Sequence, residues 1–204
     1  MDLNPRHSAV IAVHLQNDIV TTGGAYGGFF AAQAASRDVI GVTGKLLDAA
    51  RTAGATVLYT RVAWQPGYPD LVVNSPLLAM VVQSQCLVEG SKMAEIVPEL
   101  APRDGDLVVT HQRVSGFSGS QMDVLLRARD VDTLAFTGVA TNVSVEGTAR
   151  QASDLGYRTI IVADACSAAD DGAHDASIAS LGLLAEIATS SELIEALAGA
   201  TARG

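Results

Sequence analysis

The chain is short of positive charge, of aromatic residues, of cysteine and of long apolar runs, and each shortage removes a class of function. Only 13 Lys and Arg stand among 22 Asp and Glu, a formal net charge of −9. The cations are scattered, whereas a nucleic-acid surface needs them clustered against phosphate, so no nucleic-acid partner is expected. The apolar stretch in MDLNPRHSAVIAVHLQND covers about eight residues, too few for a signal h-region with its cleavage site or for a bilayer span. It reads as a first strand, with no membrane partner. Two cysteines, Cys86 and Cys166, lie far apart without metal-type spacing, which fits reduced thiols in a cytoplasmic protein. Two motifs are missing as well. A dinucleotide loop needs GxGxxG directly after a strand, and TTGGAYGGFF (21–30) comes too late and opens no phosphate-binding helix. GxSxG is absent, which excludes the ordinary nucleophile elbow. No cofactor is expected.

What is present is apolar and regular. Hydrophobic residues make up 49% of 204, enough for one sizeable core, and nothing in the composition divides the chain, so residues 1–204 read as a single domain. Short aliphatic runs at 9–15, 55–62, 106–111, 133–139, 158–164 and 186–189 alternate with segments of helical period. Parallel strands need crossover helices, so this alternation predicts an α/β fold of three layers, with helices on both faces of a parallel sheet. Gly54 and Gly156 stand where helices need left-handed caps before a strand. The least regular part is 63–105, with Pro66, Pro69, Pro76, Pro98 and Pro102; short helices are expected there near 75–84 and 92–97. In such sheets a ligand sits beyond the carboxyl ends of the strands. His14 and His111 fall at strand ends, and Trp64 nearly so.

Three segments carry a resemblance: AVIAVHLQND, LAPRDGDLVVTHQRVSGF and FTGVATNVSVEGTARQASDLGYRTIIVADACSA. In combination they resemble the isochorismatase-like, or cysteine hydrolase, superfamily across nearly the whole chain. The resemblance implies a six-stranded parallel sheet of order 3-2-1-4-5-6 and an amidohydrolase site built from Asp, Lys and Cys. The corresponding positions here hold His14, His111 and Ser144, while their flanks are kept. It also implies an oxyanion hole at Ala140, preceded by a cis peptide from Val139, and a homo-oligomer of dimer size or larger, for which VVNSPLLAMVVQ offers an apolar helix. The metal cluster of some members lies after the second strand; TRVAWQPGYPD has no His, so no metal is expected.

The three substitutions are chemically coherent as a set. A serine hydroxyl, unlike a thiol, needs a base to take its proton during attack, and imidazole is that base near neutral pH. With the ends of the first and third strands roughly 9–10 Å apart, His14 is expected against Ser144 and His111 against substrate. Arg113 is expected to hold a carboxylate, Gln16 and Asn142 to bind substrate, and Trp64, Phe117, Phe29 and Phe30 to line an apolar pocket. The bland reading of each stays open: Ser144 as a first-turn cap, the histidines as buried structural groups, Gln16 as a turn residue, the aromatics as core. Asn142-Val143-Ser144 matches a glycosylation sequon by accident. Three functions follow: a hydrolase of a small amide, ureido or ester substrate using Ser144 and a histidine; vinyl-ether hydrolysis with His14 as the acid and no nucleophile; or an inactive relative that binds a small ligand or a partner.

Overall fold

The computed structural model describes residues 1–201. Six strands, β1 (Ser8–Val13), β2 (Thr56–Val62), β3 (Leu107–His111), β4 (Thr133–Val139), β5 (Arg158–Ser167) and β6 (Glu186–Ala188), form one parallel sheet of order β3-β2-β1-β4-β5-β6. Helices connect them: α1 (Asn17–Val20), α2 (Gly27–Ser36), α3 (Val39–Ala53), α4 (Pro76–Ser84), α5 (Met122–Arg127), α6 (Glu146–Asp154), α7 (Asp171–Leu181) and α8 (Ser190–Thr201). No helix among the described residues is long and apolar enough to cross a membrane.

All of β1 is buried, as a central strand covered on both faces must be. Its alternation divides the core. Val10 and Ala12 pack with Leu46, Leu47 and Ala50 of α3 and with Leu193 and Leu197 of α8. Ala9, Ile11 and Val13 face the opposite layer, which holds Leu126 of α5, Ala149 of α6 and Leu181 of α7. Gly54 and Gly156 take φ of 76° and 86° after α3 and α6, the left-handed turn that lets the chain leave a helix and enter a strand.

Three departures from the sequence reading have local causes. The expected helix at 92–97 is two short 3-10 turns, Lys92–Ala94 and Pro98–Leu100; Val97 is extended (ψ 141°), as the residue before a proline prefers. The glycine-rich run at 21–30 leads into α2, which the sequence reading lacked; it buries only Gly27, Ala31 and Ala34, so its small residues leave no strong helical stripe. The third is α8, which the reading also lacked.

The centre of the sheet is where the chain ends are held closest. Gly138 has φ 117°, and a Cβ there would lie 2.1 Å from the Val13 carbonyl oxygen. Only glycine fits between the ends of β1 and β4. Gly138→Ala is therefore expected to destabilise the fold by about 3 kcal/mol or more, since it combines a main-chain clash with a disfavoured φ. Urea unfolding measures it, and an unchanged midpoint would contradict this packing.

Candidate active site

The turn after β4 carries the first functional group. The Val139–Ala140 peptide is cis, and Thr141–Val145 forms a π-type turn before α6, a geometry that often marks functional sites. The Ala140 carbonyl accepts the N–H groups of Val143 and Val145 at 3.1 Å each. Thr148 then locks the turn to the β3 loop: its hydroxyl donates to the Ser144 carbonyl at 2.6 Å and accepts the Gly116 N–H at 3.1 Å. On the other side His174 holds Thr141. Arg37 can only donate, so His174 Nε2 accepts from it at 2.9 Å and Nδ1–H donates to Thr141 Oγ1 at 2.8 Å. Burial, then the Arg37 charge, push the His174 pKa down. Neither Thr148 nor His174 stood out in the sequence; both lie within helices where a polar residue reads as surface.

His14 follows β1 in the left-handed region at φ 52°, an unfavourable conformation for a residue with a Cβ. The neighbouring residues enforce it. Gln16 donates to the carbonyls of Val62 (2.8 Å) and Ala94 (2.6 Å) and accepts the Val62 N–H (2.8 Å). Asn17 donates to Lys92 and Glu95 carbonyls, and Asp18 accepts the Leu87 N–H at 2.7 Å. The LQND segment is thus a bracket between β1 and the 86–96 loops. Gln16, expected at the ligand, is fully buried with its amide committed to backbone.

His14 Nε2 lies 2.8 Å from His111 Nε2, with ring centroids 4.9 Å apart. The expected gap between the ends of β1 and β3 is closed because both rings reach over β2 and share the distance. A contact of this kind uses one proton, so at most one ring presents N–H at the junction. Both rings are buried. Burial, then the repulsion of His111, lower the His14 pKa well below its ordinary value; burial lowers that of His111 to about 4, partly opposed by the Arg113 backbone. Both imidazoles are neutral at pH 7.

His14 and Ser144 share a cavity of about 70 Å³, walled by Val62, Trp64, Leu78, Val81 and Val143, with Val139, Ala140 and Arg113 also on its lining. No hydrogen bond joins Ser144 Oγ to either imidazole. His111, expected against substrate, lies behind His14, fully buried and off the cavity wall, its Nε2 against that of His14. Phe117 packs instead in the core beside Tyr157, at 5.8 Å between rings, Phe29 is half exposed at 51%, and Asn142 is exposed on the outer side of the turn. Phe30 and Trp64 do line the cavity, as do Leu77, Leu78 and Val81 of α4, the helix that the sequence offered for subunit contact. Cys86 and Cys166 are free and buried, and burial pushes both thiols up to about 12, so neither supplies a thiolate. Among the described residues no three His, Cys, Asp or Glu side chains group as metal ligands.

Gln16→Ala leaves three buried backbone groups unpaired and is expected to cost about 3 kcal/mol or more in unfolding free energy; a loss under about 1 kcal/mol would contradict the bracket. The His111 pKa gives a pH dependence with a definite sign. Between the ordinary 6.5 and about 4 the unfolded chain binds the proton and the folded chain does not, so stability is full above pH 6.5 and falls toward pH 4. The His111 share is on the order of 3 kcal/mol. Unfolding curves across this range should have a shallower slope in His111→Gln, which leaves only the His14 share, and a pH-independent wild type would contradict a neutral buried pair.

Comparison with known proteins agrees with this architecture. Residues 8–192 match the isochorismatase domain model. A ureidoacrylate amidohydrolase, RutB, of Rhizobium rhizogenes is 38% identical over 181 residues, covering 80% of this chain and 71% of the relative; RutB of Caulobacter vibrioides is 35% identical, covering 81% and 79%. Among solved structures, a cysteine hydrolase of Pseudomonas syringae pv. phaseolicola superposes with a TM-score of 0.87 at 30% identity, covering 98% of this chain and 96% of that one. The N-carbamoylsarcosine amidase of Thermoplasma acidophilum gives 0.72 at 26%, covering 90% and 96%. With its sheet order, its turn after β4 and these matches in agreement, the chain belongs to the isochorismatase-like hydrolase family.

Proposed function

We propose that this protein hydrolyses a C–N bond in a small amide or ureido substrate, with Ser144 as nucleophile and His14 as base. The observation that carries this reading is the shared cavity: a hydroxyl at the β4 turn and a neutral imidazole at the end of β1 line one small apolar space. The relatives named for ureidoacrylate and N-carbamoylsarcosine support the substrate class.

The proton positions follow from the pair. We assign the shared proton to His14 Nε2, which leaves the His14 Nδ1 lone pair free and puts the His111 proton on Nδ1, a buried nitrogen without a hydrogen-bond partner that lies toward the Arg113 backbone. Ser144 Oγ attacks the carbonyl carbon as its proton passes to His14 Nδ1. The C–N bond breaks as that proton passes to the leaving nitrogen. Water, deprotonated by His14, then hydrolyses the ester and restores Ser144. The substrate or one water must complete the Ser144 to His14 path, a contact that commonly closes only in the complex. His111 holds the ring and accepts its Nε2–H throughout. The vinyl-ether alternative needs His14 as a protonated acid, and burial beside His111 holds it neutral, so the geometry favours the base.

Ser144→Ala is expected to lower kcat by about 10³-fold or more and His14→Ala by about 10²–10⁴-fold on whichever small ureido or amide compound the wild type turns over. The acidic limb of kcat/KM should lie below pH 6.5, since the His14 pKa is lowered. Full activity in Ser144→Ala removes the nucleophile, and a wild type inert across such a panel favours an inactive ligand-binding relative.

A further inference from the structure

The turn that carries Ser144 is held at both ends by one helix. At its start, His174 Nδ1–H of α7 donates to Thr141 Oγ1 at 2.8 Å; just past its end, the Ser177 hydroxyl of α7 donates to the Glu146 carboxylate at 2.6 Å. Residues three apart share a helix face, so a single face of α7 spans the five residues Thr141–Val145. The two bonds differ in what undoes them. The Ser177 hydroxyl has no charge to change. His174 is buried and meets an arginine that is fixed on its other sides: Arg37 Nε donates to the Cys166 carbonyl at 3.1 Å, Nη2 to that of Ala163 at 3.5 Å, and Nη1 pairs with Asp171 at 3.3 Å. The contact from Arg37 Nη2 to His174 Nε2 at 2.9 Å exists only while that nitrogen has a lone pair.

We propose that His174 is a positioning residue for Ser144 and a latch released by acid: as a neutral ring it joins Arg37 to Thr141, and a proton on Nε2 sets donor against donor and frees the start of the turn. The charged groups about the ring are Arg37, just past the end of α2, and Asp171 and Asp175 of α7 itself. Glu146 of α6 is bonded to Arg150 and Ser177, and Asp164 of β5 to Ser190. Burial first, then the Arg37 charge, keep the ring neutral and the latch closed at pH 7, against the pull of the two aspartates. The consequence for catalysis rests on the reading of Ser144 as nucleophile; the hold on the turn does not.

Hydrogen exchange reads the hold directly, through the Val143 and Val145 amides that donate to the Ala140 carbonyl within the turn. In His174→Ala their protection is expected to fall about tenfold or more at neutral pH, while that of the β1 amides stays as in the wild type. Thr141→Val removes the same bond from the other side and should match it. His174→Asn, whose amide N–H replaces Nδ1–H and carries no charge, should keep most of the protection. As the pH falls below the ordinary histidine value of 6.5, wild-type protection at the two amides should drop in step with charging of the His174 ring in its ¹⁵N spectrum, and His174→Asn should show no such drop. Circular dichroism checks that each variant is folded. Unchanged protection in folded His174→Ala or Thr141→Val, a loss in His174→Asn as large as in His174→Ala, or an acid-induced drop that survives in His174→Asn would overturn the proposal. On a ureido or amide compound that the wild type turns over, His174→Ala should lower kcat about tenfold or more with KM within about twofold; an unchanged kcat overturns the positioning role. Full turnover in Ser144→Ala, with the exchange result as expected, upholds the latch and sinks only the nucleophile.

Discussion

The hydrogen bond between His14 and His111 contains one proton and no room for a second, and much of the site follows from that restriction. Two imidazolium rings at 2.8 Å would each need the same junction for an N–H, and burial already penalises either charge. Burial therefore keeps both rings neutral, and a neutral imidazole has a lone pair to offer as the base proposed above. To hold the rings in contact the chain must keep the ends of β1 and β3 in register over β2. That is the task of the buried amide of Gln16 and the carboxylate of Asp18, whose partners are backbone groups of β2 and of the loops that follow it. The left-handed turn at His14 persists because its neighbours are fixed on both sides.

A second set of constraints positions Ser144. Thr148 spans from the β3 loop to the β4 turn through one hydroxyl, and the Arg37 to His174 to Thr141 chain reaches the same turn from the opposite layer. The cavity between the two histidine-bearing and serine-bearing elements is otherwise apolar. In such surroundings each polar group counts for more than it would in water, and few are present: the hydroxyls of Ser144 and Tyr26, the His14 imidazole, the Trp64 indole N–H, the Arg113 guanidinium and the backbone of the turn.

The sheet was legible because its strands are buried on both faces and read as unbroken aliphatic runs; five of the six ended within a residue or two of their expected limits, while β5 continues to Ser167 beyond 164. The glycine caps at 54 and 156 marked helix ends by the same logic. The site was legible only in outline. Strand-end position singled out His14, His111, Arg113 and Trp64, but sequence spacing cannot tell whether a side chain points at a cavity or at its neighbour. So His111, expected at substrate, lies against His14, and the Gln16 amide, expected at the ligand, is bonded to backbone. Thr148 and His174 were invisible because their importance lies in partners more than 25 residues away. Phe117, the last residue of the SGF motif, packs into the core beside Tyr157.

The most direct test of a neutral imidazole base is the ring ¹⁵N spectrum of His14 and His111 through a pH titration, with His14→Gln and His111→Gln used for assignment. Two neutral rings at neutral pH are expected, sharing one Nε2 proton, with His14 Nδ1 unprotonated and no charging of either ring until well below pH 6.5. An imidazolium signal from either ring at neutral pH, or a proton resident on His14 Nδ1, would contradict the role assigned to the pair.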